Sequence, residues 1–305
     1  MPTGTVIRLD SASCIVQCEG RSWRCTLPGR WRLTNSRQIA VGDQADFSAE
    51  GEGDPVVQRV LPRHGGKLAR RAAGGRDAEQ VVAANVDQLV AVASAASPPL
   101  NRRLLDRLIV SAENGEMAAT VCINKIDLAD AAVEPVLALY RSLGYGALAT
   151  SALTGEGIEA LRETLRGKTS VLAGASGVGK SALLMAVQPG LQLRVGEVSA
   201  ATGKGRHTTT AVSLLPLDFG GYVVDTPGIR EFALWDLARE DLQHCFPELR
   251  ALFGQCRFAD CSHLTEPGCA VRCAVEAGAI APERYESYRH IYESLPAADP
   301  AGRRR

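Results

Sequence analysis

No apolar run in this 305-residue chain approaches the roughly 20 residues that a membrane-spanning helix needs, so no membrane span is expected. Net charge is absent as well. Lys+Arg and Asp+Glu number 34 each, so any basic surface must be local and the overall balance names no partner. The first residues, Met1 to Val6, carry neither the basic nor the apolar segment of a secretory leader, and the expected location is the cytoplasm. The nine cysteines make an odd number, and four of them crowd between 256 and 273. That pattern favours a reducing compartment with a metal site over a disulfide framework. Disorder is not expected either, because 46% hydrophobic and 22% charged residues are ordinary for a globular chain. The length suits two or three domains with ample core material.

What is present falls into four stretches. Residues 1–63 carry short β-rich runs starting near Thr5, Cys14, Trp23, Ala45 and Val56, separated by Gly- and Pro-containing turns. Five such strands suit a small barrel of the OB type. Arg21, Trp23, Arg24, Arg30, Trp31, Arg32 and Arg37 interleave base and ring. They can line a nucleic-acid surface, or Trp23 can be core and the arginines solvated. Cys14, Cys18 and Cys25 lie inside strand-like runs and read as buried thiols. Residues 64–79 read as a mobile basic linker that either spaces the domains or touches phosphate.

From 80 to 236 strands and helices alternate, which implies a parallel, doubly wound α/β sheet with ligands at the carboxyl ends of its strands. Helices are expected over Arg102–Asn114, Val133–Leu143 and Ile158–Leu165. Gly174-Ala175-Ser176-Gly177-Val178-Gly179-Lys180-Ser181 is a complete phosphate-loop motif between a short apolar strand and a helix start that continues into Ala182. Its glycines let backbone N–H groups point at phosphate oxygens, and the helix N-terminus adds partial positive charge. Lys180 would reach the β- and γ-phosphates and the Ser181 hydroxyl would ligate Mg²⁺.

Asn124-Lys125-Ile126-Asp127 follows one strand and Ser151-Ala152 the next. The Asp127 carboxylate can accept both guanine N1–H and N2–H, a pair that adenine lacks. Asn124 can brace the loop and contact the base, the Lys125 stem can lie along the base plane, and a backbone N–H at 151–152 can meet the guanine oxygen. Asp225 ends another buried strand and suits the Mg²⁺ shell, while the Gly228 N–H can sense a γ-phosphate. Between these lies Gly203 to Thr210, rich in hydroxyls and positive charge. One of Thr208, Thr209 and Thr210 should ligate Mg²⁺ when the γ-phosphate is present, and Thr209 is preferred. The base-reading motifs precede the phosphate loop, the reverse of the usual GTPase order, so the domain reads as circularly permuted.

Residues 237–305 hold Cys256-x₄-Cys261-x-His263-x₅-Cys269, three thiolates and an imidazole that suit a closed tetrahedral Zn²⁺ site. Cys245 and Cys273 are near enough to compete as ligands. Helices Leu237–Cys245 and Pro282–Leu295 should pack around the ion, and Arg303 to Arg305 should be a solvated end.

Taken together, the permuted order, the phosphate loop, Gly203 to Thr210, Asp225-Thr226-Pro227-Gly228-Ile229-Arg230 and the Cys/Cys/His/Cys knuckle resemble the RsgA (YjeQ) family of circularly permuted GTPases. The resemblance covers nearly the whole chain. It implies an OB domain, a permuted GTPase and a C-terminal zinc domain. It also implies a late role in maturation of the 30S ribosomal subunit, contact with 16S rRNA, GTPase activity stimulated by the subunit, and a monomeric chain. Lys204 departs mildly, standing where members often have Arg, which keeps charge but loses the planar fork. Ile229 occupies the place of a water-positioning Gln, so the intrinsic rate should be low. His207, which members of this family carry, is then the residue to orient or activate water, or else it only steadies the loop. Two rival classes are an ATP-dependent enzyme, which Asp127 opposes, and a purely structural RNA-binding protein, which Lys180, Ser181 and Asp225 oppose.

Overall fold

Val6, Cys14, Val16, Cys25 and Phe47 are fully buried on the inner face of five short strands. In the computed structural model these are β1 (Thr3–Leu9), β2 (Ser13–Cys18), β3 (Arg21–Thr26), β4 (Gln44–Phe47) and β5 (Val57–Val60). The structure describes residues 1–10, 12–29, 39–48, 54–71, 79–128, 133–193, 212–225 and 237–296. β1 pairs with both β2 and β4, β2 with β3, and β4 with β5, all antiparallel. A parallel bridge from Thr26 to Val56 closes the ring. The strand order 1-2-3-5-4-1 is that of an OB barrel, as expected. Alternation explains the core: every second residue of β2 and β3 points inward. Cys14 and Cys25 are register partners with buried thiols, and Cys25 Sγ donates to Trp23 O at 3.8 Å, whereas Cys18 is half-buried. Trp23 is half-buried against Phe47, with ring centroids 5.7 Å apart, and Arg21 and Arg24 are exposed beside it. Arg30, Trp31, Arg32 and Arg37 lie outside the described residues.

The expected linker over 64–79 is corrected. β6 (Gly66–Arg71) and β7 (Glu79–Val86) form an antiparallel hairpin. Lys67 is exposed while Gly66 and Leu68 are buried, a period of two that the surrounding glycines and arginines obscure in the sequence. The hairpin fastens the barrel to the rest of the chain. Asn85 accepts from His64 N at 2.9 Å and donates to Gly42 O at 2.9 Å. Arg63 forks onto the buried Asp43 at 2.7 and 3.0 Å.

The main sheet runs in the order β10-β9-β8-β11-β13-β12. Its strands are β8 (Gln88–Ser94), β9 (Ala118–Asn124), β10 (Gly146–Ala149), β11 (Thr169–Ala173), β12 (Ser213–Pro216) and β13 (Tyr222–Asp225). All neighbours are parallel except β12 and β13. β8 is buried on both faces and shows why. Leu89, Ala91 and Ala93 meet helices α1 (Arg102–Asn114) and α2 (Glu134–Ser142), and Val90 and Val92 meet α3 (Ile158–Leu165) and α4 (Lys180–Val187). The sheet is therefore doubly wound. At the far edge β1 of the barrel continues it, with Arg8 opposite Ser213.

A third core gathers Leu242, Phe246, Leu249, Val271, Tyr288 and Ile291 with Val110 from α1. Its helices are α5 (Ala270–Glu276) and α6 (Pro282–Ser294). The helix expected over Leu237–Cys245 is only a 3₁₀ turn at Leu242–Cys245, followed by one helical turn at Pro247–Arg250. Pro247 forces Phe246 into extended backbone (φ −117°, ψ 106°), which breaks the segment in two. Among the described residues no helix is long and apolar enough to cross a membrane. Arg303 to Arg305 lie outside them.

Candidate functional site

Four strand ends converge on one rim: Ser94 of β8, Asn124 of β9, Thr150 after β10 and Gly174 after β11. The loop Gly174–Gly179 has left-handed backbone at Gly177 and Gly179 (φ +80° and +97°). A side chain at Gly179 would put its Cβ 2.3 Å from Asn124 Nδ2, so only glycine admits this approach. Asn124 uses it. Its buried amide donates to Val178 O at 2.9 Å, and its Oδ1 accepts from Ala152 N at 3.2 Å. One side chain thus ties the phosphate loop to both base-reading loops.

Asp127 is exposed in a 3₁₀ turn that begins at Ile126, and its carboxylate accepts from the Ser151 hydroxyl. The exposed carboxylate keeps its second oxygen, Oδ2, as a further acceptor. Lys125 has positive φ (62°), and its ammonium donates to Ser97 O, which lays the stem along the rim. Lys180 starts α4 and donates to Gly174 O at 2.9 Å and Ala175 O at 2.8 Å. Burial lowers its pKa. These carbonyls hold the ammonium over the loop's concave side, where an anion would be stabilised by it and by the helix N-terminus. Ser176, Gly177, Ser181 and Ala182 are exposed, so the groove is open, and Asp225 stands half-buried at the end of β13. His207, Thr208, Thr209, Thr210 and Gly228 lie outside the described residues.

The profile of the RsgA GTPase family matches residues 60–235. A protein of Gemmatimonas aurantiaca, named small ribosomal subunit biogenesis GTPase RsgA, is 44% identical over 96% of this chain and 97% of its own. A protein of the same name from Chlorobaculum tepidum is 43% identical over 96% and 98%. The chain belongs to the RsgA GTPase family. Among solved structures, YjeQ from Thermotoga maritima matches with a TM-score of 0.77 at 39% identity, covering 99% of each chain. YloQ, described as a circularly permuted GTPase, matches with 0.76 at 30%, covering 96% and 94%. The chain is accordingly a GTPase with the permuted order of motifs on its sheet.

In this RsgA-family chain the Cys₃His set also comes together. The ligand atoms of Cys256, Cys261, His263 and Cys269 all lie within 4.8 Å of one another. Cys256 Sγ is 4.0 Å from Cys269 Sγ, and His263 Nδ1 is 3.5 Å from each of those sulfurs. Tetrahedral metal–sulfur and metal–nitrogen bonds of about 2.3 and 2.05 Å require ligand separations of about 3.5–3.8 Å, so the set fits a four-coordinate ion. His263 Nε2 faces Gln243 Oε1 at 2.9 Å. Donation to that oxygen leaves Nδ1 as the ligand. The N–H groups of Ala270 and Arg272 point at Cys256 and Cys269 sulfur at 3.4 and 3.5 Å, an arrangement that favours thiolates. Burial pushes the Cys261 thiol up to about 12, so its charge needs a cation beside it. Cys273 is exposed and Cys245 faces Asp241 O, and neither belongs to the set.

Three supports were not read from the sequence. Gln243 is 20 residues from His263 and carries no local signal. Glu266 gathers Ser262 N, Ser262 Oγ, Leu264 N and Thr265 N around one carboxylate, and its spacing from Ser262 is the only hint. Ser97 holds Lys125 through a carbonyl, which any residue type can supply.

Proposed function

We propose that this GTPase acts in assembly of the small ribosomal subunit, binding the 30S particle in a nucleotide-dependent way late in its maturation. In this reading Asp127 and Ser151-Ala152 select guanine, and residues 174–182 hold the phosphates. Mg²⁺ sits with Ser181, Thr209 and Asp225, Gly228 reports the γ-phosphate, and His207 orients the attacking water. Zn²⁺ is the ion of the Cys₃His set and holds the C-terminal lobe together. The barrel (1–63) and that lobe (237–305) meet 16S rRNA, with the GTPase (80–236) between them. The chain works as a cytoplasmic monomer. The observation that carries the reading is the Asn124 amide, which bonds the phosphate loop and the base loop at once. The assembly role is supported by relatives of that printed name matching along nearly their whole length.

Binding of purified 30S subunits tests it, with GDP and with a non-hydrolysable GTP analogue. The analogue should bind the chain to the particle at least tenfold more tightly, and phosphate release should rise when subunits are added. Equal affinity in the two states would sink the switch, because a ligand shifts an equilibrium only through differential affinity. A GDP-against-ADP titration separates this outcome from a failure of guanine selection.

A further inference from the structure

Among Cys256, Cys261, His263 and Cys269, only His263 has a positive φ. At 63° its backbone is left-handed, a region that residues other than glycine keep only where their surroundings hold them in it. Its Nδ1 is the nitrogen that faces Cys256 and Cys269 sulfur, at 3.5 Å from each. Nδ1 is bonded to Cγ, next to Cβ, so an ion held there sits close to the main chain. A backbone rotation at 263 would carry the ligand atom off the site.

Both peptide planes that flank the His263 Cα are held from one helix. Tyr288 Oη donates to Ser262 O at 3.0 Å, which holds the plane before it. Tyr285 Oη donates to His263 O at 2.7 Å, which holds the plane after it. The rotations of those rigid planes about Cα are φ and ψ. The second plane is held at its other end as well, where Leu264 N donates to Glu266 Oε2 at 3.2 Å. Tyr285 and Tyr288 stand one helical turn apart on the same face of α6, with their rings inclined by only 13°. Gln243 turns the imidazole through Nε2, but a partner on the ring does not set the backbone.

We propose that Tyr285 and Tyr288 are positioning residues of the metal site, which hold the His263 backbone in its left-handed form and so keep Nδ1 aimed at the ion. This deepens the reading of the Cys₃His set as a zinc site and rests on it. Metal affinity then depends on the seating of α6, because a helix that lifts away releases both carbonyls. The same helix carries Arg284, which reaches Asp106 of α1 at 2.5 Å, so the knuckle is tied to the GTPase domain through α6.

The test measures zinc affinity of the full-length chain by competition with the chelator 4-(2-pyridylazo)resorcinol. Tyr285→Phe and Tyr288→Phe should each weaken zinc binding about threefold to tenfold, and together at least about tenfold, since each removes one hydrogen bond. Tyr292→Phe is the control on the same helix, because its hydroxyl makes no hydrogen bond among the described residues, and it should bind zinc as wild type does. Cobalt(II) substitution separates aiming from packing. Aiming predicts shifted d–d bands in the double variant, whereas a packing role would lower affinity and leave the spectrum of the loaded site in place. Retained GDP affinity shows that the GTPase domain is folded. If the double variant fails that check, Tyr285→Phe alone decides on the same two readouts. The proposal is overturned if the deciding variant binds zinc within about twofold of wild type, less than one lost hydrogen bond, or if its cobalt spectrum coincides with that of wild type. A wild-type chain that takes up no metal would overturn the zinc reading, and this assignment with it.

Discussion

Arg284 Nη1 stands 2.5 Å from Asp106 Oδ1, with the two side chains 1% and 2% exposed. The same guanidinium reaches Glu248 at 2.7 Å and lies 4.5 Å over the Phe246 ring, and Tyr140 donates to Asp106 at 2.9 Å. Asp106 belongs to the GTPase helix α1, Arg284 to α6 of the metal lobe. A buried ion cluster fixes geometry more than it adds stability, since desolvation offsets its attraction. It therefore ties α1 of the GTPase domain to α6 of the metal lobe.

Removing the cation should be costly. Arg284→Met leaves two carboxylates buried without a counter-charge, and unfolding in urea should show a loss of about 3–5 kcal/mol. A loss below about 1 kcal/mol would mean that the lobe re-packs without the cluster.

Elemental analysis should find one zinc per chain. Cys261→Ser or prolonged chelation should remove it, and apparent metal-linked folding energies of about 10–16 kcal/mol predict that the lobe then opens. Hydrogen exchange over Pro282–Ser294 should rise sharply, while GDP affinity, which rests on the sheet, changes by less than about threefold. Unchanged exchange after metal loss would show that the small apolar core suffices alone.

Asp127→Asn turns one acceptor of the carboxylate into a donor. It should cost at least about 100-fold in GDP affinity, from two charge-assisted hydrogen bonds of about 1.5–3 kcal/mol each. Xanthosine diphosphate, which has a carbonyl where guanine has its amino group, should bind the variant better than it binds wild type. Calorimetry with both nucleotides decides this, and equal GDP affinity would remove Asp127 from base recognition.

Turnover tests His207. His207→Ala should lose most of the phosphate release stimulated by 30S subunits while GTP affinity stays near wild type. Unchanged stimulated turnover would take the imidazole out of the mechanism.

In the barrel, the Thr3 hydroxyl at 2.7 Å and then Arg59 at 2.7 Å hold the Asp46 carboxyl below its ordinary 3.8. A depressed folded-state value means stability that is present above pH 3.8 and is lost as pH falls through the folded-state value. Asp46→Asn should thus melt below wild type at neutral pH, with the difference shrinking in acid. A difference that stays constant down to pH 2.5 would contradict the linkage.

Local chemistry was legible in the sequence. The phosphate loop, Asn124 to Asp127 and the Cys₃His spacing each lie within 15 residues, and their residue types allow few other uses. The five barrel strands were legible for a similar reason, because alternation is a short-range signal. The hairpin of Gly66–Arg71 and Glu79–Val86 was not. Its first strand carries one large apolar residue, Leu68, beside lysine and arginines, so that strand leaves almost no alternation in the sequence. Nor could Arg284 be matched to Asp106, 178 positions away, since an isolated Arg in a helix usually reads as a solvated one.

The pairing of Arg8 with Ser213 has a consequence for solubility. An open sheet ends in a row of unpaired backbone groups that invite another chain. Here the β12 edge is met at Ser213 by the chain's own barrel, whose strands close on themselves and pass no edge onward. A chain lacking residues 1–63 would leave that edge open as a template for association. The barrel is thus a guard on the GTPase sheet as well as a module of its own, and its removal should appear first as aggregation.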